Sequence, residues 1–347
     1  MTPFRLEVAL QFILSLTQSS SLSRRLLILC AVYTAVTAAI FPKNFFVVVG
    51  EMQLLHFVVL LGVILMAGLL VVTVIEQPSS PIAFMRGRIM SRGAGAVVII
   101  AALMLSSKAF TTLKYEYTVL VPFFADGVIA SIDHAIHFGD PWRWARAILP
   151  QALDYPLFLL YSAFWFVDVI LAVTTAAFLA DRALRERFLA SFAIGVILLS
   201  TVIRVVANSA GPILYDRVHG GARFAELTAS LKASPSGGDT LAISDFLFNS
   251  YVNHTEMLGT GISAMPSLHV ALAFLNALFF ARLGRIARIL GWTYFVIVMF
   301  GSVYFGWHYA LDGYVSIAVM WALWHIFRGE DRGPGPAGSA RTPRPAS

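Results

Sequence analysis

The stretch His308-Tyr309-Ala310-Leu311-Asp312 places two ionisable side chains in a strongly apolar part of the chain. Ionisable groups are costly at membrane depth and are usually functional there. If this stretch is helical, His308 and Asp312 lie on one face, and the carboxylate can hold the imidazole in one tautomer and orientation. A nucleophilic histidine needs this arrangement.

A second stretch, Pro266-Ser267-Leu268-His269, precedes the first. A new apolar run begins here, and the free backbone N–H groups at the start of a helix can bind a phosphate. Two histidines, one carboxylate and an anion site together predict phosphoryl transfer.

The composition is that of an integral membrane protein. Hydrophobic residues make up 58% of the chain and charged residues 13%, with a mean hydropathy of +0.77, whereas soluble domains contain roughly 25% charged residues. No stretch alternates like a barrel strand, so the sequence predicts an all-α, polytopic helical bundle with about eight transmembrane helices. The apolar stretches begin near Leu26, Gln53, Gly95, Pro156, Phe188, Ala264, Ile289 and Gly313.

The positions of the 25 Lys and Arg residues predict the orientation of the bundle. Most of the arginines fall in short segments that would share one face, and the positive-inside rule makes that face cytoplasmic. Both termini are then cytoplasmic, and His269 and His308 reach the extracytoplasmic face of what we expect to be the cell inner membrane. The formal charge of +6 suits anionic lipid head groups, and no aromatic-interleaved basic patch indicates a nucleic-acid partner.

Four regions are predicted along the chain. Residues 1–23 form a cytoplasmic segment, 24–187 the N-terminal transmembrane helices with an outer interfacial segment at 114–154, 188–328 a catalytic core with an outer loop at 208–260, and 329–347 a cytoplasmic tail. The Gly- and Pro-rich tail is expected to be disordered. A loop as long as 208–260 is typically a lid or mobile, and the run Ser234-Pro235-Ser236-Gly237-Gly238 indicates a turn or a flexible tip.

The outer interfacial segment contains apolar residues at helical spacing, which predict a helix lying on the membrane surface. These residues are Val128, Ile129, Ile132 and Ile136. Trp142 and Trp144 would anchor its end among the head groups. His134, His137 and Asp140 are possible metal ligands, but the sequence has no fourth strong ligand nearby, and we expect no metal.

The chain resembles the type 2 phosphatidic acid phosphatase superfamily, whose signatures are K-x6-R-P, P-S-G-H and S-R-x5-H-x3-D. Pro266-Ser267-Leu268-His269 is similar to the second, with leucine for glycine, and His308 and Asp312 match the end of the third. Arg204, followed after six residues by Gly211-Pro212, is similar to the first. Gly301 and Ser302 stand where the third signature has Ser-Arg.

Within that superfamily the chain resembles the inositol phosphorylceramide synthase-like branch of inositolphosphotransferases. That branch relaxes the arginine positions while keeping the two histidines and the aspartate, and the run from Ser209 to Tyr215 is also similar to it. The resemblance covers about the second half, Phe188 to Arg328, and implies a lipid phosphatase-like helical core there. The first half rests on topology alone.

The resemblance implies a role for each of these residues. His308 would attack the phosphorus of a lipid phosphodiester or monoester with one ring nitrogen, and Asp312 would hold the other ring nitrogen of His308. His269 would protonate the departing oxygen, and the reaction would proceed in two steps through a phosphohistidine. The residues expected at the phosphate are Arg204, Ser267, Gly211 and Arg217, of which Arg217, or less favourably His254 or Arg223, would restore the charge of the missing arginines. We expect no cofactor, a lipid donor and a lipid alcohol or water as acceptor. The oligomeric state stays open.

Three alternatives remain open on the sequence. The first is a lipid phosphate phosphatase that releases inorganic phosphate. The second is a transporter, in which Glu51, His56 and Asp168 would form a relay. The third, a sugar transferase using polyprenyl phosphate, is expected to have an acidic pair in its first outer loop, where only Lys43 and Glu51 occur.

Overall fold

The computed structural model describes residues 21–50, 54–76, 79–255 and 259–330, and within these ranges the protein contains helices and no strand. The helices are α1 (Ser21–Ile40), α2 (Pro42–Gly50), α3 (Leu54–Glu76), α4 (Pro81–Leu120), α5 (Asp126–Ile136), α6 (Pro141–Ile148), α7 (Asp154–Phe178), α8 (Arg182–Ile197), α9 (Arg204–Val206), α10 (Pro212–His219), α11 (Ala225–Lys232), α12 (Gly237–Val252), α13 (Leu268–Phe280), α14 (Arg285–Tyr304) and α15 (Ala310–Ile326). A π-helical segment, Leu198–Ile203, joins α8 to α9.

Four helical stretches in the described part of the chain are long and apolar enough to cross a membrane. They are Pro81–Leu120, Gln151–Phe178, Arg182–Val206 and Arg285–Tyr304. A fifth span results if the pair Arg24–Ile40 and Pro42–Gly50, bent by 115°, is counted as one. The protein is therefore an all-helical membrane protein with four or five candidate spans.

The eight predicted spans are not confirmed. The spans predicted near Ala264 and Gly313 correspond to α13 and α15, which have 13 and 17 residues, or about 20 and 25 Å at 1.5 Å per residue. Both fall short of the roughly 30 Å of a hydrocarbon core. Their length is limited because residues 261–267 and 305–309 form the turns of the candidate site instead of continuing the helices.

Helix α13 is the centre of the second half of the bundle. It packs against α7, α8, α14 and α15, and all but four of its residues are buried. A helix that is apolar all round is stable only in such a position. Its one amide, Asn276, donates to the Asp168 carboxylate of α7 at 2.6 Å, so this contact binds one member of the predicted relay into the core. Glu51 and the side chain of His56 lie outside the described residues.

The outer interfacial segment is helical, as α5 and α6, but its carboxylates face inward. Asp126 and Asp133 are buried, whereas Val128, Ile132 and Ile136 are exposed. This pattern suits a helix with one face towards lipid and the other bound to the protein by polar contacts. Trp144 is exposed and Trp142 is buried. Of the two tryptophans predicted to lie among the head groups, only Trp144 is therefore on the surface.

The outer loop 208–260 contains three helices, α10, α11 and α12. The run 234–238 contains the predicted turn, but it is not a free tip, because Ser236 is fully buried and its N–H donates to the Asp154 carboxylate at 2.7 Å. A Cβ at Gly237 would lie 2.0 Å from the Leu231 carbonyl oxygen. The loop is therefore pinned to the start of α7 at this point. The predicted terminal regions, up to residue 20 and from residue 331, lie outside the described residues.

The orientation of the bundle can be tested with single cysteines, since the native Cys30 is buried. Phe138→Cys, at a position 94% exposed, should react with an impermeant thiol reagent on intact cells. Arg285→Cys, at the other end of the helix leading to His308, should react only after the membrane is opened. Ser236→Cys should stay unlabelled in the folded protein, as a control for burial. Labelling of Arg285→Cys alone on intact cells would place the site in the cytoplasm.

Candidate active site

His308 lies in the turn between α14 and α15 and is only 7% exposed. Its Nδ1 lies 2.8 Å from the Ala264 carbonyl oxygen and 3.5 Å from Oδ2 of Asp312. Because a carbonyl oxygen can only accept, Nδ1 carries a proton, and in the neutral imidazole the lone pair is then on Nε2. The contact with Ala264 therefore fixes the tautomer, and Asp312 adds a negative charge beside it.

Asp312 joins the two histidine segments. Its Oδ2 accepts the Tyr309 N–H at 3.0 Å, and its backbone carbonyl accepts the Ser267 N–H at 3.4 Å. The carboxylate is fully buried, and Oδ1 has no hydrogen-bond partner in the described residues. Asp312 thus closes the start of α15 and holds it against the start of α13.

His269 is held between two aromatic rings of α7. Its ring stacks on Tyr161 with centroids 4.9 Å apart and contacts Trp165 with centroids 4.2 Å apart. The Trp165 indole N–H also donates to the His269 carbonyl at 3.2 Å. These contacts fix the plane of the imidazole, and its centroid is 6.2 Å from that of His308.

Ser267 is the N-cap of α13. It is fully buried, and its hydroxyl accepts the Val270 N–H at 3.4 Å. The first N–H groups of an α-helix have no partner within the helix, so those of Leu268 and His269 can receive an anion. The Ser267 hydroxyl is used as the helix cap. The groups that can bind an anion are the backbone N–H groups that follow it.

Arg204 ends the span formed by α8 and α9 and is 1% exposed. One nitrogen, Nη2, donates to Thr118 at 2.8 Å and to the Ile262 carbonyl at 2.6 Å. Nε and Nη1 have no partner in the described residues. The π-helical segment Leu198–Ile203 directly precedes it, and such segments are frequent at functional sites. Arg204 therefore keeps two donors for a further ligand.

Gly211 allows two segments to approach closely. Its φ is +85°, and a Cβ there would lie 2.6 Å from the Trp307 carbonyl oxygen. Its N–H donates to Asp126 at 3.0 Å, so it is not free for a phosphate. The structure thus assigns this glycine to the packing beside His308 and not to the ligand set predicted for it.

The contacts of Arg217 are with residues of α12 and not with the two histidines. Its guanidinium pairs with Asp245 at 2.6 Å and lies over the Phe248 ring, on α12. Arg223, the less favoured candidate, forms a bidentate pair with Asp140 at 2.5 and 2.7 Å. His254 is exposed. The predicted replacement of the missing arginine by one of these residues is therefore not supported by these contacts.

Asp126 was not identified from the sequence, although four groups donate to its fully buried carboxylate. These are the N–H groups of Ala210 (2.7 Å) and Gly211 (3.0 Å), Nε2 of His219 (3.0 Å) and the hydroxyl of Tyr309 (2.8 Å). Burial, followed by the Asp126 charge, raises the pKa of Tyr309, so its hydroxyl remains a donor. The only sequence signal was an acidic residue opening an amphipathic helix.

Asp133 lies about two turns after Asp126 on the same face of α5. It binds the start of α15. Its two oxygens accept the N–H groups of Leu311 at 3.0 Å and Ala310 at 3.2 Å. Burial raises the pKa of Asp133, and the two N–H groups act in the opposite direction. Helix α5 therefore fixes Tyr309 through Asp126 and the two residues after Tyr309 through Asp133, directly beside His308.

The possible metal ligands of the outer segment are bound to other groups. His134 contacts Asp140 at 2.9 Å, while His137 contacts the Asp133 carbonyl at 2.7 Å and Tyr314 at 2.9 Å. Burial would raise the pKa of Asp140, but hydrogen bonds from Arg223 and His134 hold it below its usual range. Within the described ranges no three His, Cys, Asp or Glu residues are grouped as metal ligands.

A comparison with protein families finds one match, to a family model described as the PAP2 superfamily, over residues 128–326. The match covers more than half of the chain and extends from α5 to the end of α15. It begins well before Phe188, where the sequence resemblance was expected to start, so the outer segment and α7 belong to the same unit. Searches of curated proteins and of solved structures found no match.

The packing role of Gly211 can be tested against a matched glycine. Gly220 also has a positive φ of +77°, but a Cβ there would meet nothing within 4 Å. Gly220→Ala should therefore cost only backbone strain, about 1–3 kcal/mol for its φ of 77° and ψ of 173°. Gly211→Ala adds a steric overlap with Trp307 and should cost at least about 2 kcal/mol more, measured by thermal unfolding in detergent. Equal losses in the two variants would refute the close approach.

Proposed function

Because the chain belongs to the PAP2 superfamily, we propose that it is a membrane-embedded lipid phosphotransferase that forms a phosphohistidine on His308. The observation that carries this proposal is the contact between His308 Nδ1 and the Ala264 carbonyl at 2.8 Å, since it leaves Nε2 with the lone pair a nucleophile needs. The family supports a lipid phosphatase or phosphotransferase in general. The transfer reaction and its substrates are the proposal.

In the first step, Nε2 of His308 attacks the phosphorus, an N–P bond forms and the P–O bond to the leaving group breaks. His269 gives a proton to the departing oxygen. Burial, followed by the charges of His308 and Lys114, lowers the pKa of His269 to about 3 in the protein without substrate, so we assign its protonated form to the complex with the phosphate, whose negative charge raises that pKa. The positive charge that develops on the imidazole of His308 is stabilised by Asp312, 3.5 Å from Nδ1. In the second step, the acceptor hydroxyl attacks the phosphorus, His269 takes its proton, and the N–P bond breaks.

The charge on the transferred phosphoryl group needs donors that are already in place. Nε and Nη1 of Arg204 are buried and without partners among the described residues. The first N–H groups of α13, beside His269, are a second set. Ser267 contributes by ending the turn and starting that helix, because its hydroxyl accepts from Val270.

The preference for transfer over hydrolysis is supported by charge and by the outer loop. A monoester carries about two negative charges and a diester about one, so a site with fewer arginines suits a diester such as a phosphoinositol lipid. The outer loop is anchored to α7 through Ser236 and Asp154. An anchored cover can exclude water until a lipid alcohol, such as a sphingolipid base or diacylglycerol, arrives from the bilayer.

The catalytic roles predict graded losses of turnover. His308→Ala should reduce kcat on the order of 10⁴-fold or more, because the nucleophile is lost. His269→Ala should cost roughly 10²–10⁴-fold, and less with a better leaving group. Asp312→Asn should fall between His308→Ala and the unmodified protein. A folded His308→Ala variant with more than about a tenth of the turnover would exclude the phosphohistidine.

The donor preference is tested with labelled lipids offered to purified protein. A phosphodiester lipid should be a better donor than phosphatidic acid, added ceramide or diacylglycerol should divert the label into a new lipid, and EDTA should leave the rate unchanged. Inorganic phosphate as the sole product, with a strong preference for phosphatidic acid, would instead identify a lipid phosphate phosphatase.

A further inference from the structure

Lys114 lies at the outer end of α4, outside the residues that match the family. Its backbone is in close contact with the loop that precedes α13, since a Cβ at Gly261 would lie 2.9 Å from the carbonyl carbon and oxygen of Lys114. Thr118, one turn further along α4, donates to the Lys114 carbonyl at 2.7 Å. The same Thr118 hydroxyl accepts from Arg204 at 2.8 Å. The backbone of Lys114 thus packs among the residues that hold Arg204 in place.

The loop of residues 261–267 contacts Lys114, Arg204 and His308, and it leads into the helix that carries His269. Gly261 packs on Lys114, Ile262 accepts from Arg204, Ala264 accepts from His308, and Ser267 begins the helix that carries His269. Lys114 is also close enough to interact electrostatically with both Arg204 and His269. Its ammonium group therefore belongs to the same small region as the two histidines.

The charges of this region are not balanced by the protein. Arg204 and Lys114 repel each other, and neither has a carboxylate within salt-bridge distance in the described parts of the chain. Arg204 is 1% exposed, with Nε and Nη1 unpartnered, and Lys114 is half-buried. Burying neighbouring cations without a counter-ion is costly. An anion bound between them would offset that cost.

We propose that Lys114 binds a phosphate oxygen of the substrate beside Arg204, so that two cations contact the phosphate, one fewer than the three signatures contain. Ser302 is a neutral residue bound within the protein, because its hydroxyl donates to the Met299 carbonyl at 2.8 Å and its own carbonyl accepts the His308 N–H at 3.1 Å. The inference rests on the proposed function for the identity of the anion. It adds a ligand from α4, which lies outside the residues that match the family.

The test measures equilibrium binding of inorganic phosphate by calorimetry to the full-length protein in a neutral detergent. Lys114→Met and Lys114→Gln remove the charge, and Lys114→Arg keeps it. Lys43→Met is the matched control, because Lys43 is an exposed lysine on α2, next to α4. Each change is also made in a His308→Ala background, where phosphate can bind but no phosphohistidine can form.

The neutral variants should weaken phosphate binding by about tenfold or more, as expected for loss of a charge-assisted hydrogen bond. Lys114→Arg should weaken it by less than about threefold, and Lys43→Met should leave it unchanged. Without phosphate, the neutral variants should unfold at the same or a higher temperature, because a repulsion with Arg204 has been removed. This separates a ligand role from a structural one.

Phosphate binding that is unchanged in Lys114→Met and Lys114→Gln but lost in Arg204→Met would overturn the role of Lys114 alone. It would indicate a lysine extending to the membrane surface. Retained turnover in His308→Ala, with phosphate binding still dependent on Lys114, would overturn the phosphohistidine and leave the Lys114 site intact. No phosphate binding to any form, the unmodified protein included, would overturn both.

Discussion

The buried carboxylate of Asp126 is the contact on which the geometry of the candidate site depends. It accepts from the backbone of residues 210 and 211, from His219 in the outer loop and from Tyr309 beside His308. A buried carboxylate is tolerated only when its oxygens are satisfied, and removing one of its hydrogen-bond partners typically costs about 1–3 kcal/mol. This side chain of α5 thus joins its own helix to two distant segments, residues 210–219 and the turn at Tyr309.

Around that carboxylate, the site is assembled from turns and helix ends. The turn at Gly211 packs against the Trp307 carbonyl. The loop 261–267 runs from the contact with Arg204 to the start of α13. Asp133 accepts hydrogen bonds from the first residues of α15. Short helices and connecting turns at this end of the bundle explain why α13 and α15 are shorter than a full span. The candidate spans α7 and α14 are long enough to cross a membrane, and α7 supplies the aromatic rings that hold His269.

The site is electrostatically incomplete within the described residues. Negative charge lies behind His308, in Asp312, while Arg204 and Lys114 stand without counter-ions on the side of α4. Such an arrangement lowers stability in the absence of a ligand, and proteins tolerate it where an anion must be bound. The outer segment shows the opposite design, since Asp140 and Arg223 neutralise each other in a bidentate pair.

The sequence by itself determined that this is an all-helical membrane protein of the PAP2 superfamily, and it singled out His269, His308 and Asp312. It could do so because composition sets the environment and because ionisable residues are conspicuous in apolar stretches. It overestimated the number of spans, since hydropathy does not show where a helix gives way to a turn. Only the tertiary structure decided which contacts Asp126, Gly211 and Lys114 make. These are contacts between residues distant in the chain, such as Lys114 with Gly261, and no local pattern of residues encodes such a contact.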